Sequence, residues 1–141
     1  MVAAGSSRSS FGNVTKPPTS FDVAVMPNQY GDIMSDLASA VAGSVGLGGG
    51  ATFGRRVCLF EPVHGTAPDI AGKGIANPVS QILTAALLLR HHGEAKRGEA
   101  IERAVADALA DPINHTPDLK GRGTTESMTE AIIDALPRHM H

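Results

Sequence analysis

The sequence predicts an α/β architecture of short strands with covering helices, and not an ordinary Rossmann fold. Three observations carry this. Short apolar runs bounded by Gly and Pro alternate with longer stretches whose apolar residues recur at helical spacing. The strand candidates are too few and too short to bury themselves, so the sheet needs strands absent here or supplied by a partner. The segment Gly46-Leu-Gly48-Gly-Gly-Ala51 resembles a dinucleotide fingerprint, but a helix precedes it and a strand follows, the reverse of what the fingerprint demands. It reads as a turn.

Taken in order, Phe21-Asp22-Val23-Ala24-Val25-Met26 is short and apolar with a Pro at its end, and reads as the first strand. Gly31 to Ala42 reads as a helix, with Ile33, Met34, Leu37 and Val41 on one face. Gly43, Gly46, Gly48, Gly49 and Gly50 end it in a flexible loop. Val57 to Phe60 is the second strand. A loop with Pro62, Pro68, Gly72 and Gly74 follows, and Asn77-Pro78 opens a helix to about His91, Asn77 serving as N-cap. Ile82, Leu83, Ala86, Leu87 and Leu89 give that helix a wide apolar arc, so it should be largely buried. After Gly93 a helix runs from about Glu94 to Ala110, with Ile101, Ala104, Val105, Ala108 and Leu109 on one face. Residues 111–123 are a loop. Thr124 or Thr125 caps a last helix that ends near Leu136.

Composition narrows the function classes. The chain has 141 residues, 42% hydrophobic and 18% charged, enough to form a packed core, and only 4% aromatic, so that core is built from aliphatic residues. The net charge is -2 and no Lys/Arg block stands out, so nucleic-acid binding is not expected. No apolar stretch reaches the roughly 18 residues of a membrane span, and no membrane partner is expected. Cys58 is the only cysteine, which excludes an intramolecular disulfide and a Cys-based metal cage and fits a reducing compartment. In the run Val57-Cys58-Leu59-Phe60 it reads as a buried, inert thiol. The expected location is the cytoplasm, or a mitochondrion or plastid in a eukaryote. Residues 1–20 carry five serines, Arg8, Lys16 and no acid, the bias of a transit peptide. Pro17, Pro18 and the single arginine favour a poorly ordered segment instead.

Two constellations could carry chemistry. Asp32 and Asp36 are four apart, which puts both carboxylates on one helical face within reach of one ion. Oxygen donors of this kind suit Mg²⁺ or Mn²⁺; two solvated acids favoured by the helix N-terminus are the alternative. The stretch from Glu61 to Asn77 is long and rich in glycine and small residues, yet lies between a strand and a helix. Glycines there let backbone N–H groups approach a ligand. Asp69 within it could accept from a ribose hydroxyl and would repel a 2′-phosphate, which favours NAD; a purely structural loop remains open. The histidine pair His91 and His92, and the terminal His139 and His141, have no metal spacing.

Three stretches resemble one known family. Asn28-Gln-Tyr-Gly-Asp32-Ile-Met-Ser-Asp36 resembles the metal motif of the β-decarboxylating dehydrogenases, the isocitrate/isopropylmalate dehydrogenase family. Glu61-Pro-Val-His64-Gly65-Thr66-Ala67-Pro-Asp69-Ile70-Ala-Gly-Lys-Gly-Ile-Ala-Asn77-Pro78 resembles its NAD-binding loop nearly residue for residue. Thr116-Pro-Asp-Leu-Lys-Gly-Arg-Gly-Thr-Thr-Glu-Ser-Met-Thr-Glu resembles its C-terminal segment. The resemblance covers about residues 21–136. It implies that 21–141 form the C-terminal part of an isopropylmalate dehydrogenase-like fold and that 1–20 lie outside it. It further implies Asp32 and Asp36 as metal ligands, with His64, Gly65, Thr66, Ala67, Asp69, Ile70 and Asn77 around the adenosine half of NAD and Glu61 near the cofactor.

The implied reaction is metal-dependent oxidation of a 2-hydroxy-3-carboxy acid by NAD, with loss of CO₂ and reprotonation. 3-Isopropylmalate ranks first as substrate, ahead of homoisocitrate, isocitrate and tartrate, in a full-length homodimer. The family's substrate arginines, catalytic tyrosine, catalytic lysine and a third metal aspartate have no counterpart in the sequence, so no catalytic residue is assigned and the chain reads as truncated. Tyr30 lies inside the metal motif and is not the catalytic tyrosine. Gly48-Gly-Gly-Ala-Thr52 departs from the Pro-Ser-Ala type of loop expected there. A non-catalytic NAD- and metal-binding fragment, or a regulatory subunit, is the competing expectation.

Overall fold

A computed structural model describes residues 24–140. Helix α1 spans Asn28–Ala42, strand β1 Gly49–Phe53 and strand β2 Cys58–Pro62. Helices α2 (Val79–His91), α3 (Ala95–Ala110) and α4 (Thr125–Ala135) follow, with short 3-10 turns at Val45–Leu47, Pro112–Asn114, Pro117–Leu119 and Leu136–His139.

Three helices lie where their periodicity put them, because the pattern is local. Val79 on α2, Ala104, Val105 and Ala108 on α3, and Met128, Ile132 and Ala135 on α4 form one buried cluster. Small residues let α2 and α3 meet closely: a Cβ added at Gly98 would lie 2.8 Å from the Ala86 carbonyl oxygen. The caps follow the sequence. Val79 N–H donates to Asn77 Oδ1 at 3.0 Å, and Ser127 N–H donates to Thr124 Oγ1 at 3.1 Å while Thr124 N–H donates to Ser127 Oγ at 2.9 Å, a reciprocal capping box.

The expectations around the sheet need correction. Phe21–Val23 lie outside the described residues, and Ala24, Val25 and Met26 belong to no strand or helix. Helix α1 begins at Asn28 rather than Gly31, because the Pro27 carbonyl already accepts from Tyr30 N–H at 3.0 Å and Gly31 N–H at 2.9 Å. The glycine run is not a flexible loop. Gly49–Phe53 is a strand, paired antiparallel with β2 in the register Gly49↔Pro62, Ala51↔Phe60, Phe53↔Cys58. Its glycines are positions of close approach. An added Cβ would lie 2.9 Å from Glu61 O at Gly50, 3.2 Å from Thr84 N at Gly49, and 2.8 Å from Val63 Cγ2 at Gly48.

Helix α2 buries less of its apolar arc than expected. Ile82, Leu83, Leu87 and Leu89 are half-buried, while the polar Ser80 and Thr84 are fully enclosed. Helix α1 has an open apolar face: Met34 is buried, but Ile33, Leu37 and Val41 are 46%, 37% and 55% exposed. Leu59 is exposed on the hairpin face away from α2, and Phe53 and Val57 are exposed at its turn end.

Met128 is wholly enclosed at the centre of the helical core. Met128→Ala is expected to cost about 2–5 kcal/mol, read as a lower urea midpoint at unchanged slope. A loss below about 1 kcal/mol would show that the three helices do not share one core.

Candidate functional site

The segment 63–78 leaves β2 as a loop held at both ends and open in its middle. At its start Val63 N–H donates to the Gly48 carbonyl at 3.4 Å. Two successive turns follow, with Ile70 N–H to Ala67 O and Lys73 N–H to Ile70 O, each at 3.1 Å. At its end Thr125 N–H donates to Gly74 O at 2.8 Å and Thr125 Oγ1 to Ala76 O at 2.5 Å, which fastens the loop to the start of α4.

Between these anchors His64, Gly65, Thr66, Ala67 and Asp69 are exposed and Ile70 is half-buried. His64 Nδ1 lies 2.9 Å from Gly65 O. A Cβ added at Gly65, Gly72 or Gly74 would meet nothing within 4 Å, so this stretch of backbone faces open space. Ala67 has φ 42°, a left-handed conformation that an alanine adopts only at a cost of about 1 kcal/mol or more. Such strain, in a loop otherwise free to relax, is typical of a backbone shaped for a ligand. Glu61 sits opposite Gly50 with its side chain on the exposed side of the hairpin.

Asn77 differs from its neighbours. It is 9% exposed, its Oδ1 caps α2, and its Nδ2 donates to Asp118 Oδ2 at 2.9 Å. Asp118 also accepts from Ser44 Oγ at 2.5 Å and, through Oδ1, from Thr116 Oγ1 at 2.5 Å. Partial burial pushes this carboxyl up. The hydrogen bonds from Ser44, Thr116, Asn77 and its own backbone N–H outweigh burial and hold it below its ordinary value of 3.8. Sequence reasoning missed Asp118, Ser44 and Thr116 as a unit, since no spacing along the chain joins positions 44, 77 and 118. The Thr116-Pro-Asp118 tripeptide opening a 3-10 turn was the available signal.

Asp32 and Asp36 lie one turn apart and exposed on α1, with Asn28 Nδ2 donating to Asp32 Oδ2 at 3.2 Å. No acid stands in the first turn of α1, so the helix N-terminus does not account for the pair. Among the described residues no group of three or more His, Cys, Asp or Glu could hold a metal ion. The two carboxylates fit the donor chemistry of a hard divalent cation, with the rest of the coordination sphere left to water or to other groups.

Cys58 is partly exposed, not buried. Its Sγ lies 3.4 Å from His91 Nε2, and the His91 ring packs on Phe53 and Phe60. The thiol lies on the hairpin face turned toward α2, at the end of that helix, where its cover is incomplete. His139 is not free in a tail either, because its Nε2 lies 2.9 Å from Asp107 Oδ2.

A family model described as isocitrate/isopropylmalate dehydrogenase matches residues 9–135, reaching back ahead of Phe21. The chain belongs to the isocitrate/isopropylmalate dehydrogenase family. It is 50% identical over 119 residues to the isocitrate/homoisocitrate dehydrogenase of Thermus thermophilus, a match covering 84% of this chain and 35% of that protein. It is 52% identical over 118 residues to the 3-isopropylmalate dehydrogenase of Lactococcus lactis, covering 82% and 34%. The crystal structure of isocitrate dehydrogenase from Methylococcus capsulatus superposes with a TM-score of 0.83 at 45% identity, over 89% of this chain and 38% of that one. A β-decarboxylating dehydrogenase from Thermococcus kodakarensis superposes with a TM-score of 0.71 at 46% identity, over 79% and 32%. The chain thus carries part of this family's α/β fold and spans about a third of the length of the curated relatives it matches.

The Asp118 carboxyl is more acidic in the folded chain than in the unfolded one, so between the two values the unfolded chain binds more protons. Its contribution to stability is therefore present above pH 3.8 and lost as pH falls through the lower folded value. Asp118→Ala should lower the melting temperature at pH 7, and the gap to wild type should close in strong acid. A gap that is constant across this range would contradict the ionised carboxylate as its source.

Proposed function

We propose that this chain forms the NAD-binding side and part of the cation site of a β-decarboxylating dehydrogenase. The reaction is NAD-dependent oxidative decarboxylation of a 2-hydroxy-3-carboxy acid. The observation that carries the reading is the loop from Val63 to Pro78, anchored at both ends, with a left-handed Ala67 and an exposed Asp69 between the anchors.

When bound, NAD supplies a hydride acceptor and Mg²⁺ or Mn²⁺ a positive charge that stabilises developing oxyanions. The chain's own residues bind and orient. The exposed backbone of His64, Gly65, Thr66 and Ala67 offers N–H groups to the cofactor, and Ile70 offers an apolar surface. Asp69 accepts from a ribose hydroxyl, and its charge disfavours a 2′-phosphate, which is why NAD is preferred. Asn77 sits at the adenosine end, and Glu61 borders the cofactor from β2. Asp32 and Asp36 supply two carboxylate oxygens to the cation. No residue of this chain is assigned a proton transfer.

3-Isopropylmalate is the first substrate to test, followed by homoisocitrate, isocitrate and tartrate. Relatives named for different substrates match this chain at 50% and 52% identity, so the segment is shared machinery rather than the part that selects the acid. The open apolar faces of α1 and the hairpin support a homodimer, in the manner of the family. The single cysteine supports a reducing compartment, the cytoplasm or an organelle interior. No helix among the described residues is long and apolar enough to cross a membrane.

Asp69→Ala should weaken NAD about tenfold or more by calorimetry, in line with about 1.5–3 kcal/mol for a hydrogen bond to a charged group. Unchanged affinity would remove Asp69 from the cofactor site. Asp32→Asn combined with Asp36→Asn should abolish Mn²⁺ binding in a titration, and a site of equal affinity in the double variant would show that the cation lies elsewhere. The activity itself is tested by NAD reduction with Mg²⁺ and each of the four acids in turn, using the protein as the cell makes it. Reduction with none of them would overturn the reading.

A further inference from the structure

Asn77 and the turn after α1 are far apart in sequence, yet one side chain holds both. Asp118 Oδ2 accepts from Asn77 Nδ2 at 2.9 Å and from Ser44 Oγ at 2.5 Å, while Oδ1 accepts from Thr116 Oγ1 at 2.5 Å. A carboxylate oxygen has room for about two donors, so Oδ2 is filled by the two long-range partners. Asn77 is equally committed, since its Oδ1 accepts from Val79 N–H at 3.0 Å. The amide is therefore fixed in one orientation: Nδ2 toward Asp118, Oδ1 toward α2. A flip would set Oδ1 against a carboxylate oxygen and Nδ2 against a backbone N–H, two repulsive contacts in place of two hydrogen bonds. Tight packing adds to this, because a Cβ added at Gly46 would lie 2.9 Å from Asn77 Cβ and 3.1 Å from Asp118 Oδ2.

We propose that Asp118 is a positioning residue for the cofactor loop: its carboxylate locks the Asn77 amide and joins the C-terminal end of the loop to the turn at Ser44, which follows the helix bearing Asp32 and Asp36. The inference rests on the reading of 63–78 as the NAD loop. A loop whose middle is largely exposed is pre-shaped by its internal turns and by the anchors at its ends. The Asp118 carboxylate hydrogen-bonds the Asn77 end to the α1 side, whereas the Thr125 bonds tie the loop to α4. Ordering is thus met before the ligand arrives, and losing the clamp transfers that cost to binding.

The test uses Asp118→Asn, which keeps the shape but removes the charge and replaces one of the two acceptor oxygens by a donor, so the three donors at this site no longer all find a carboxylate oxygen. Two measurements on the whole chain are made: nitrogen-15 NMR of the Asn77 side-chain amide, and calorimetry with NAD and separately with Mn²⁺. The Asn77 amide protons should be slow to exchange in the wild type and fast in Asp118→Asn. NAD affinity should fall about tenfold with Mn²⁺ affinity unchanged, a split that a general loss of structure would not produce. Ser44→Ala removes one donor without touching Asn77 and should weaken NAD in the same direction by a smaller factor. If Asp118→Asn gives no cooperative melt, Ser44→Ala and the wild-type exchange rate carry the test. The proposal is overturned by wild-type NAD affinity in Asp118→Asn, by wild-type NAD affinity in Ser44→Ala, by equal losses of NAD and Mn²⁺, or by a rapidly exchanging Asn77 amide in the wild type. Absence of NAD binding by the wild type would overturn the NAD reading and this inference with it. Tight binding that Asp118→Asn leaves intact overturns the inference alone.

Discussion

Ser80 and Thr84 are enclosed polar residues on α2, and each takes an acceptor from the backbone of the hairpin. Ser80 Oγ donates to the Gly48 carbonyl. Thr84 Oγ1 lies 3.3 Å from the Glu61 carbonyl and 2.8 Å from that of Ser80. A buried hydroxyl left without a partner would cost about 1–3 kcal/mol. The strand backbone lies close against the helix at Gly49, where an added Cβ would come within 3.2 Å of Thr84 N and 3.3 Å of Thr84 Oγ1. Among the described residues, no buried side-chain nitrogen or oxygen lacks a hydrogen-bond partner. Seating of the hairpin on α2 sets the position of Pro62, and hence where the long loop departs.

The far end of that loop is governed by different chemistry. Asn77 turns the chain into α2, Thr125 holds the Gly74 and Ala76 carbonyls, and Asp118 gathers donors from three segments. Every one of these bonds runs to a rigid element or its cap. The exposed stretch from His64 to Asp69 is therefore suspended between fixed points, the arrangement in which a loop can be specific without being buried. Backbone strain at Ala67 lies in the suspended part, away from the anchors.

The proposed cation side is simpler. Helix α1 displays Asp32 and Asp36 outward on one face, while Ile33, Leu37 and Val41 remain open on it as well. Its covalent route to the proposed cofactor loop passes through Ser44, and Ser44 meets Asn77 at the Asp118 carboxylate. The two halves of the proposed site are thus joined by an ionised group, whose hydrogen bonds are stronger than neutral ones.

What could be read without the structure was local in origin. Periodicity over Val79–His91, Ala95–Ala110 and Thr125–Ala135, the caps at Asn77 and Thr124, and the i,i+4 carboxylates each depend on residues within a few positions of one another. The loop from Glu61 to Pro78 was legible for another reason: its residue string is long and specific enough to mark the family. What required the tertiary structure was everything set by an approach between distant segments. A glycine run reads as flexible until Thr84 and Glu61 are seen pressed against it, and then it is a strand. Cys58 in an apolar run reads as buried, but whether it is covered depends on what packs on the hairpin. Asp118 reads as one surface acid among several, and becomes the centre of a hydrogen-bonded cluster only when the fold brings Ser44, Thr116 and Asn77 to its two oxygens. Hydrogen bonds reach about 3 Å in space and are blind to separation along the chain, so only folding could reveal them.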